Sequence, residues 1–287
     1  MNKKEIIQIF ESKLNEKPIQ IIDKSKGIDQ IVKIIKTKNK IYIIKFPKYP
    51  NFKESFFREI KGLELFKRKI PVPKIIIKDK NYLIQEYLSG EDLDDLNLSK
   101  KDLQKIYYSL GKITRKMHLI KMRGFGPLNS KGKPKFKKLK NYLDKDINKS
   151  LLKLSKTKIF SKKQIGEIKK YFEDRKNYLD SRESYLLHLD LDAYNIIIEN
   201  KRIKGIIDFG DLFAGPKMID LVRIYISNYY NRFFNDFIKG YGKVDLEEIR
   251  YFSLWNLSWR IPHYKKIGKI KKLNHTIKVL KDIVGIN

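Results

Sequence analysis

Three short runs near the start of the chain, PIQIID from Pro18, QIVKIIK from Gln30 and KIYIIKF from Lys40, concentrate apolar, β-branched residues between polar turn formers. Runs of this length and composition read as strands, and their close spacing predicts a small antiparallel sheet. Ahead of them, MNKKEIIQIFESKL has the pattern of an amphipathic helix. After them, Asn51 to Lys69 places Phe52, Phe56, Leu63 and Phe66 at helical spacing, and Ile70-Pro71-Val72-Pro73 stops that helix. Two further apolar runs, KIIIKD and NYLIQEYL, bring the predicted sheet to five strands.

Past Gly90 the period changes to that of helices. Ser99 can cap a helix reaching Met122, with Leu103, Ile106, Leu110, Ile113 and Met117 on its buried face. Lys140 to Lys156 and Ser161 to Leu179 read as two more helices, an insertion at about residues 130–180. From Tyr225 to the end the pattern is again helical, and Phe252, Trp255 and Trp259 share a stripe best read as core. The predicted fold is therefore α+β and bilobal. Residues 1–88 form an N-terminal lobe with a five-stranded antiparallel sheet and one key helix, and residues 89–287 form a larger, mainly helical lobe.

Polar residues set inside this apolar frame carry the candidate chemistry. Lys45 shares a strand face with Ile41 and Ile43, and Glu59 sits in the middle of the aromatic helix stripe. Each would be costly there alone, so the two are expected to pair. In the segment YLLHLDLDAYNIIIENKRIKGIIDFGD, Asp190 and Asn195 share a short loop, and Asp208 ends an apolar strand thirteen residues after Asn195. Phosphoryl transfer needs a carboxylate to accept a hydroxyl proton and oxygen ligands for magnesium, and these three residues supply that set.

The same stretch resembles the aminoglycoside and choline phosphotransferases, whose fold is protein-kinase-like. Their H-G-D-x-x-x-x-N loop and I-D-F/W-G/E strand end are matched by His188, Asp190, Asn195 and Asp208. Leu189 replaces the usual glycine, and Asp192 stands where many members carry histidine. The loop lacks the arginine of protein kinases, and no A-P-E segment is evident. The turn Ser25-Lys26-Gly27-Ile28-Asp29 resembles the family's S-G-x-D turn, and Glu86-Tyr87-Leu88-Ser89-Gly90 resembles its E-Y-x-x-G linker.

This resemblance implies a small-molecule kinase using ATP or GTP with Mg2+. Asp190 is then the catalytic residue, and Asn195 and Asp208 are the metal ligands. Lys45, Glu59, Ser25, Gly27, Glu86 and Leu88 form the nucleotide side. His188 and Asp220 support the loop, and Asp211 and Asp192 are candidates for substrate contact.

Composition narrows this picture less than its numbers suggest. The formal charge of +31 points toward a polyanion. Lysine, isoleucine and asparagine are abundant throughout, however, and only Ala193 and Ala214 are alanines, so the basicity reads as a bias of the whole sequence. The basic runs at Lys131 to Lys140 and Lys265 to Lys272 keep a nucleic-acid-associated, kinase-like binding protein as the alternative reading. Glu91, Asp92, Asp94 and Asp95 lie just past the linker and, with Asp190, Asp192, Asp208 and Asp211, suggest an amine-bearing hydroxyl acceptor such as an aminoglycoside, amino sugar or choline-like alcohol. The absence of cysteine excludes disulfides and thiolate chemistry. No apolar run has the length of a membrane span, which leads to the expectation of a cytoplasmic protein without a membrane partner. Nothing in the pattern specifies an oligomeric state.

Overall fold

The computed structural model describes residues 2–24 and 29–287, so the proposed nucleotide contacts Ser25 and Gly27 lie outside the described residues. In chain order the first elements are α1 (Lys3–Leu14), β1 (Gln20–Asp23), β2 (Gln30–Lys36), β3 (Ile41–Pro47), α2 (Lys53–Phe66), β4 (Ile75–Lys78), β5 (Leu83–Glu86) and β6 (Glu91–Asp92). There follow α3 (Lys100–Met117), β7 (Phe125–Leu128), β8 (Pro134–Phe136), α4 (Lys140–Lys156), α5 (Lys162–Asp174), β9 (Tyr185–Leu187), β10 (Ile196–Glu199) and β11 (Arg202–Ile206). The last are β12 (Phe213–Gly215), α6 (Met218–Ser227), α7 (Phe233–Tyr241), α8 (Leu246–Lys266) and α9 (Ile270–Val284).

These elements divide into two compact units. The first comprises Met1–Asn97, Asn129–Gly132 and Ala193–Leu212; the second comprises Leu98–Leu128, Lys133–Asp192 and Phe213–Asn287. The units exchange chain between Asp192 and Ala193, inside the loop that the sequence singles out.

In the first unit a five-stranded sheet runs in the order β1-β2-β3-β5-β4, with every neighbouring pair antiparallel. Its strands alternate well enough to build a core on one face, where Ile35, Tyr42, Ile44, Phe46 and Ile84 pack with Ile6 and Phe10 of α1. A capping box at Asn2 and Glu5 starts α1 by satisfying two backbone donors reciprocally. A second, three-stranded sheet, β11-β10-β6, belongs to the same unit. The linker glycine Gly90 adopts φ +114, and a Cβ there would lie 2.2 Å from the Ile198 carbonyl oxygen of β10. Glycine is therefore required where the chain leaves β5 for β6.

The second unit is mainly helical, with a four-stranded sheet in the order β8-β7-β12-β9. Ser99 caps α3 by accepting from the Asp102 amide at 3.1 Å. Helices α3 and α7 cross closely enough that a Cβ on Gly111 would meet the Phe237 carbonyl oxygen at 2.1 Å. Phe252 and Trp255 are buried, with the Trp255 indole N–H donating to Asp146 at 2.8 Å, whereas Trp259 of the same stripe is exposed. No helix among the described residues is long and apolar enough to cross a membrane.

Candidate functional site

The first unit assembles the nucleotide-side candidates around α2. Lys45 projects from β3 and Glu59 from α2, and they meet at 2.6 Å, both buried. The second Glu59 oxygen accepts the backbone N–H of Phe209, so one carboxylate bonds both the strand lysine and the segment that follows β11. Burial disfavours the Lys45 ammonium, but the carboxylates of Glu59 and Asp208 outweigh that penalty and hold its pKa above the usual lysine value. Burial has the upper hand at Glu59, whose pKa is raised despite Lys45.

The Phe209 ring lies against Phe66, with centroids 5.4 Å apart. The absence of a side chain at Gly62 makes room for it, since a Cβ there would come within 2.3 Å of the Phe209 Cβ. Arg58 adds a bond from its Nε to the Gly210 carbonyl at 2.6 Å. Thus α2 grips Phe209 and Gly210 through Glu59, Gly62, Phe66 and Arg58, and thereby fixes the backbone that directly follows Asp208.

Asn195 and Asp208 stand at the ends of one ladder. Strands β10 and β11 pair Ile196 with Ile206, and the Ile207 amide continues the ladder to the Asn195 carbonyl at 3.0 Å. Asn195 is buried, and Asp208 is exposed with φ +66, a left-handed conformation uncommon for any residue but glycine. An amide oxygen and a carboxylate are hard donors, suited to magnesium, which keeps several waters and takes only one or two protein carboxylates. Among the described residues no group of three or more His, Cys, Asp or Glu forms an all-protein metal cage. The Asn195 amide oxygen and the Asp208 carboxylate are thus donors of the kind that would fit magnesium. Asp211 follows on an exposed turn of the same unit. Glu86 ends β5, paired with Tyr42, and its carboxylate accepts the Lys74 amide at 3.1 Å. The Leu88 side chain lies beside Gly205 of β11.

The second unit builds the loop that carries Asp190. Fully buried Asp220, in the first turn of α6, accepts the backbone amides of His188 at 3.0 Å and Leu189 at 2.6 Å. His118, at the end of α3, bonds Asp220 through Nε2 at 3.0 Å and the Tyr241 hydroxyl through Nδ1 at 2.8 Å. The His188 Nδ1 accepts the Asp190 amide at 3.3 Å. Leu189 itself has φ +68, so the position where relatives carry glycine keeps the glycine-like conformation with a larger side chain.

Two arginines converge on one Asp190 oxygen. Arg223 Nη2 lies 2.9 Å from Asp190 Oδ1, and Arg260 Nη2 lies 3.5 Å from the same atom. Arg223 also pairs with Asp192 at 2.5 Å, and the Ser227 hydroxyl donates to the other Asp192 oxygen at 3.4 Å. Asp192, singled out as a candidate substrate contact, thus joins Asp190 in a shared ion pair. The sequence reading assigned no role to either arginine and no chemistry to His118. Arg223 had a signal: a charge within the otherwise apolar face of the segment IDLVRIYI requires an anion. Arg260 had none, because its partner lies seventy residues earlier.

A phosphotransferase enzyme family profile matches residues 24–253, which is most of the chain and all of the loop, ladder and α2 geometry described above. The chain belongs to the phosphotransferase enzyme family. Solved structures add the fold. An aminoglycoside phosphotransferase APH(4)-Ia mutant in ternary complex with AMP-PNP and hygromycin B aligns over 98% of both chains, with a TM-score of 0.75 and 14% identity. The streptomycin–ATP complex of APH(2")-IIa aligns over 98% of this chain and 99% of that one, with a TM-score of 0.68 and 19% identity. The ADP-bound APH(2'')-Ib covers 99% and 97%, again with a TM-score of 0.68 and 19% identity. No curated protein matches the chain significantly. The chain is thus a phosphotransferase of protein-kinase-like fold.

Proposed function

We propose that this phosphotransferase moves the terminal phosphoryl group of ATP or GTP to a hydroxyl of its acceptor, with Asp190 as the catalytic residue. The observation that carries this reading is the positioning of the Asp190 loop: two backbone amides, of His188 and Leu189, are held by the buried Asp220 carboxylate. Asp190 orients the acceptor hydroxyl and takes its proton. The freed oxygen bonds the γ-phosphorus, and the bond from that phosphorus to the β–γ bridging oxygen breaks with its electron pair leaving on the nucleoside diphosphate. Arg223 keeps the Asp190 side chain in one orientation, which favours transfer by lowering the freedom lost on reaching the transition state.

The first unit, with residues 1–88 at its centre, serves the nucleotide, and residues 89–287 supply most of the acceptor side. The Lys45 ammonium, kept charged by Glu59, binds phosphate oxygens. Asn195 and Asp208 would hold Mg2+, which would supply charge neutralisation for the nucleotide phosphates. The β5–β6 linker near Glu86 and Leu88 offers backbone groups to the purine. Support comes from the related structures, which hold AMP-PNP, ATP or ADP.

Two of those relatives also hold hygromycin B or streptomycin, which supports the amine-bearing option that the acidic residues suggested for the acceptor here. Ion pairing of Asp190 and Asp192 with Arg223 removes two of the carboxylates on which that option rested.

The nucleotide half of this reading is tested by Lys45→Met and Asp208→Asn. Magnesium-dependent binding of a non-hydrolysable ATP analogue, read by calorimetry, is expected to weaken at least about tenfold in each. Unchanged affinity in both would contradict it.

A further inference from the structure

The two guanidiniums at Asp190 are not equivalent. Arg223 is almost fully buried, and its Nη2 meets two carboxylates at 2.9 and 2.5 Å. Arg260 retains some exposure, and its contact with Asp190 is long, 3.5 Å against the ordinary 2.7–2.9 Å of a charge-assisted bond. It is nevertheless held in place. Its Nε donates to Asn256 at 2.8 Å and its Nη1 to the Tyr264 hydroxyl at 2.7 Å, one helical turn away on either side of α8. An arginine aimed at the catalytic carboxylate, fixed by its own helix and only loosely engaged, is a preformed reader for a second anion.

Its surroundings reinforce that sign. Among the described residues, Arg223 of α6, Arg260 of α8 and Lys272 of α9 lie at this corner of the second unit with Asp190 and Asp192; Arg223, Asp192, Lys272 and Asp190 all bear on the Tyr264 hydroxyl. Three cations face two anions, and exposed Lys265, Lys266, Lys269 and Lys271 follow at the end of α8 and the start of α9. A cationic acceptor would approach Asp190 against this field, whereas an anionic one would be drawn in.

We propose that the acceptor bears a carboxylate or phosphate beside the hydroxyl it offers to Asp190, and that Arg260 reads that acidic group. This rests on the phosphotransferase reading and names the substrate class of its acceptor. The hydroxyl still gives its proton to Asp190 and takes the γ-phosphoryl group; Arg260 holds the acidic group beside it.

Matched acceptors test it: glycerate, glycerol and serinol, and glucuronate, glucose and glucosamine, with kanamycin as a polycation. Wild type, Asp190→Ala, Arg260→Gln, Arg260→Lys and Lys272→Gln are compared with ATP and magnesium. In wild type, kcat/KM is expected to fall in the order acid, neutral, amine, with about tenfold or more between the acid and the amine. Arg260→Gln is expected to cost the acid about tenfold more than its neutral analogue, mainly in KM, and Arg260→Lys to restore part of that difference. An amine turned over by wild type as well as its matched acid would overturn the proposal, as would an Arg260→Gln variant that loses equally on all three classes. Because the wild-type order alone decides, a poorly folded variant leaves the test intact. Asp190-dependent transfer with a flat or reversed order removes this inference only; no Asp190-dependent transfer to any acceptor removes the phosphotransferase mechanism with it.

Discussion

A buried ammonium is tolerated at Lys45 because Glu59 faces it at 2.6 Å and completes its own hydrogen bonding with the Phe209 amide. Removing one partner strands the other charge in the core, so Glu59→Ala is expected to cost about 3–5 kcal/mol in urea unfolding, while the double change Lys45→Met with Glu59→Leu recovers most of that loss. This pair was legible in the sequence because each residue interrupts an apolar face by strand or helix period. Asp190, Asn195 and Asp208 were singled out by their spacing. Leu189 shows what residue type alone does not declare: relatives place glycine there, and the leucine adopts the glycine-like φ of +68 all the same. Leu189→Gly is therefore expected to change the melting free energy by no more than about 1 kcal/mol, because relieved strain offsets lost packing and added chain entropy. Leu189→Val should be worse than either, since a β-branched residue tolerates that region least. Thermal unfolding of the three proteins in parallel checks the order.

At the scale of elements, α2 and the β10–β11 ladder carry most of the site geometry, and both have long enough periods to be read from the chain. The two- and three-residue strands β6, β8 and β12 do not, because alternation cannot declare itself over so few positions, and β6 and β12 pair with strands distant in sequence. Helix α8 has a pH-sensitive start. Asp245 caps it through the amides of Glu247 and Glu248, and burial, then the Asp245 charge, pushes the Glu248 carboxyl from its ordinary 4.5 up to about 7. The native protein thus keeps a proton that the unfolded chain releases. Stability is fully present below about pH 4.5 for this group and falls as pH rises toward 7, by at most about 3 kcal/mol. Glu248→Gln should flatten that part of the stability profile, measured by denaturant unfolding between pH 5 and 8. A profile with the same slope in the variant would assign the effect elsewhere.

Across the whole molecule the charge of +31 is spread over helices and strands of both units, in keeping with a bias of composition. What composition hid is local: the distribution of cations around Asp190, which only the fold brings together, bears on the acceptor more directly than the total. Family membership covers residues 24–253, and the fold likeness extends over nearly all of the chain, so the last helices belong to the phosphotransferase architecture too. Arg260 gives α8 a direct line to the catalytic loop. The central claim is that Asp190 accepts the proton of the phosphorylated hydroxyl. The most direct measurement is single-turnover transfer of labelled γ-phosphate from ATP to the best acceptor by wild type and Asp190→Asn, both shown by calorimetry to bind the nucleotide equally. A loss of about a hundredfold or more in the transfer rate, with nucleotide affinity unchanged, is the expected result; transfer by Asp190→Asn at the wild-type rate would contradict the mechanism.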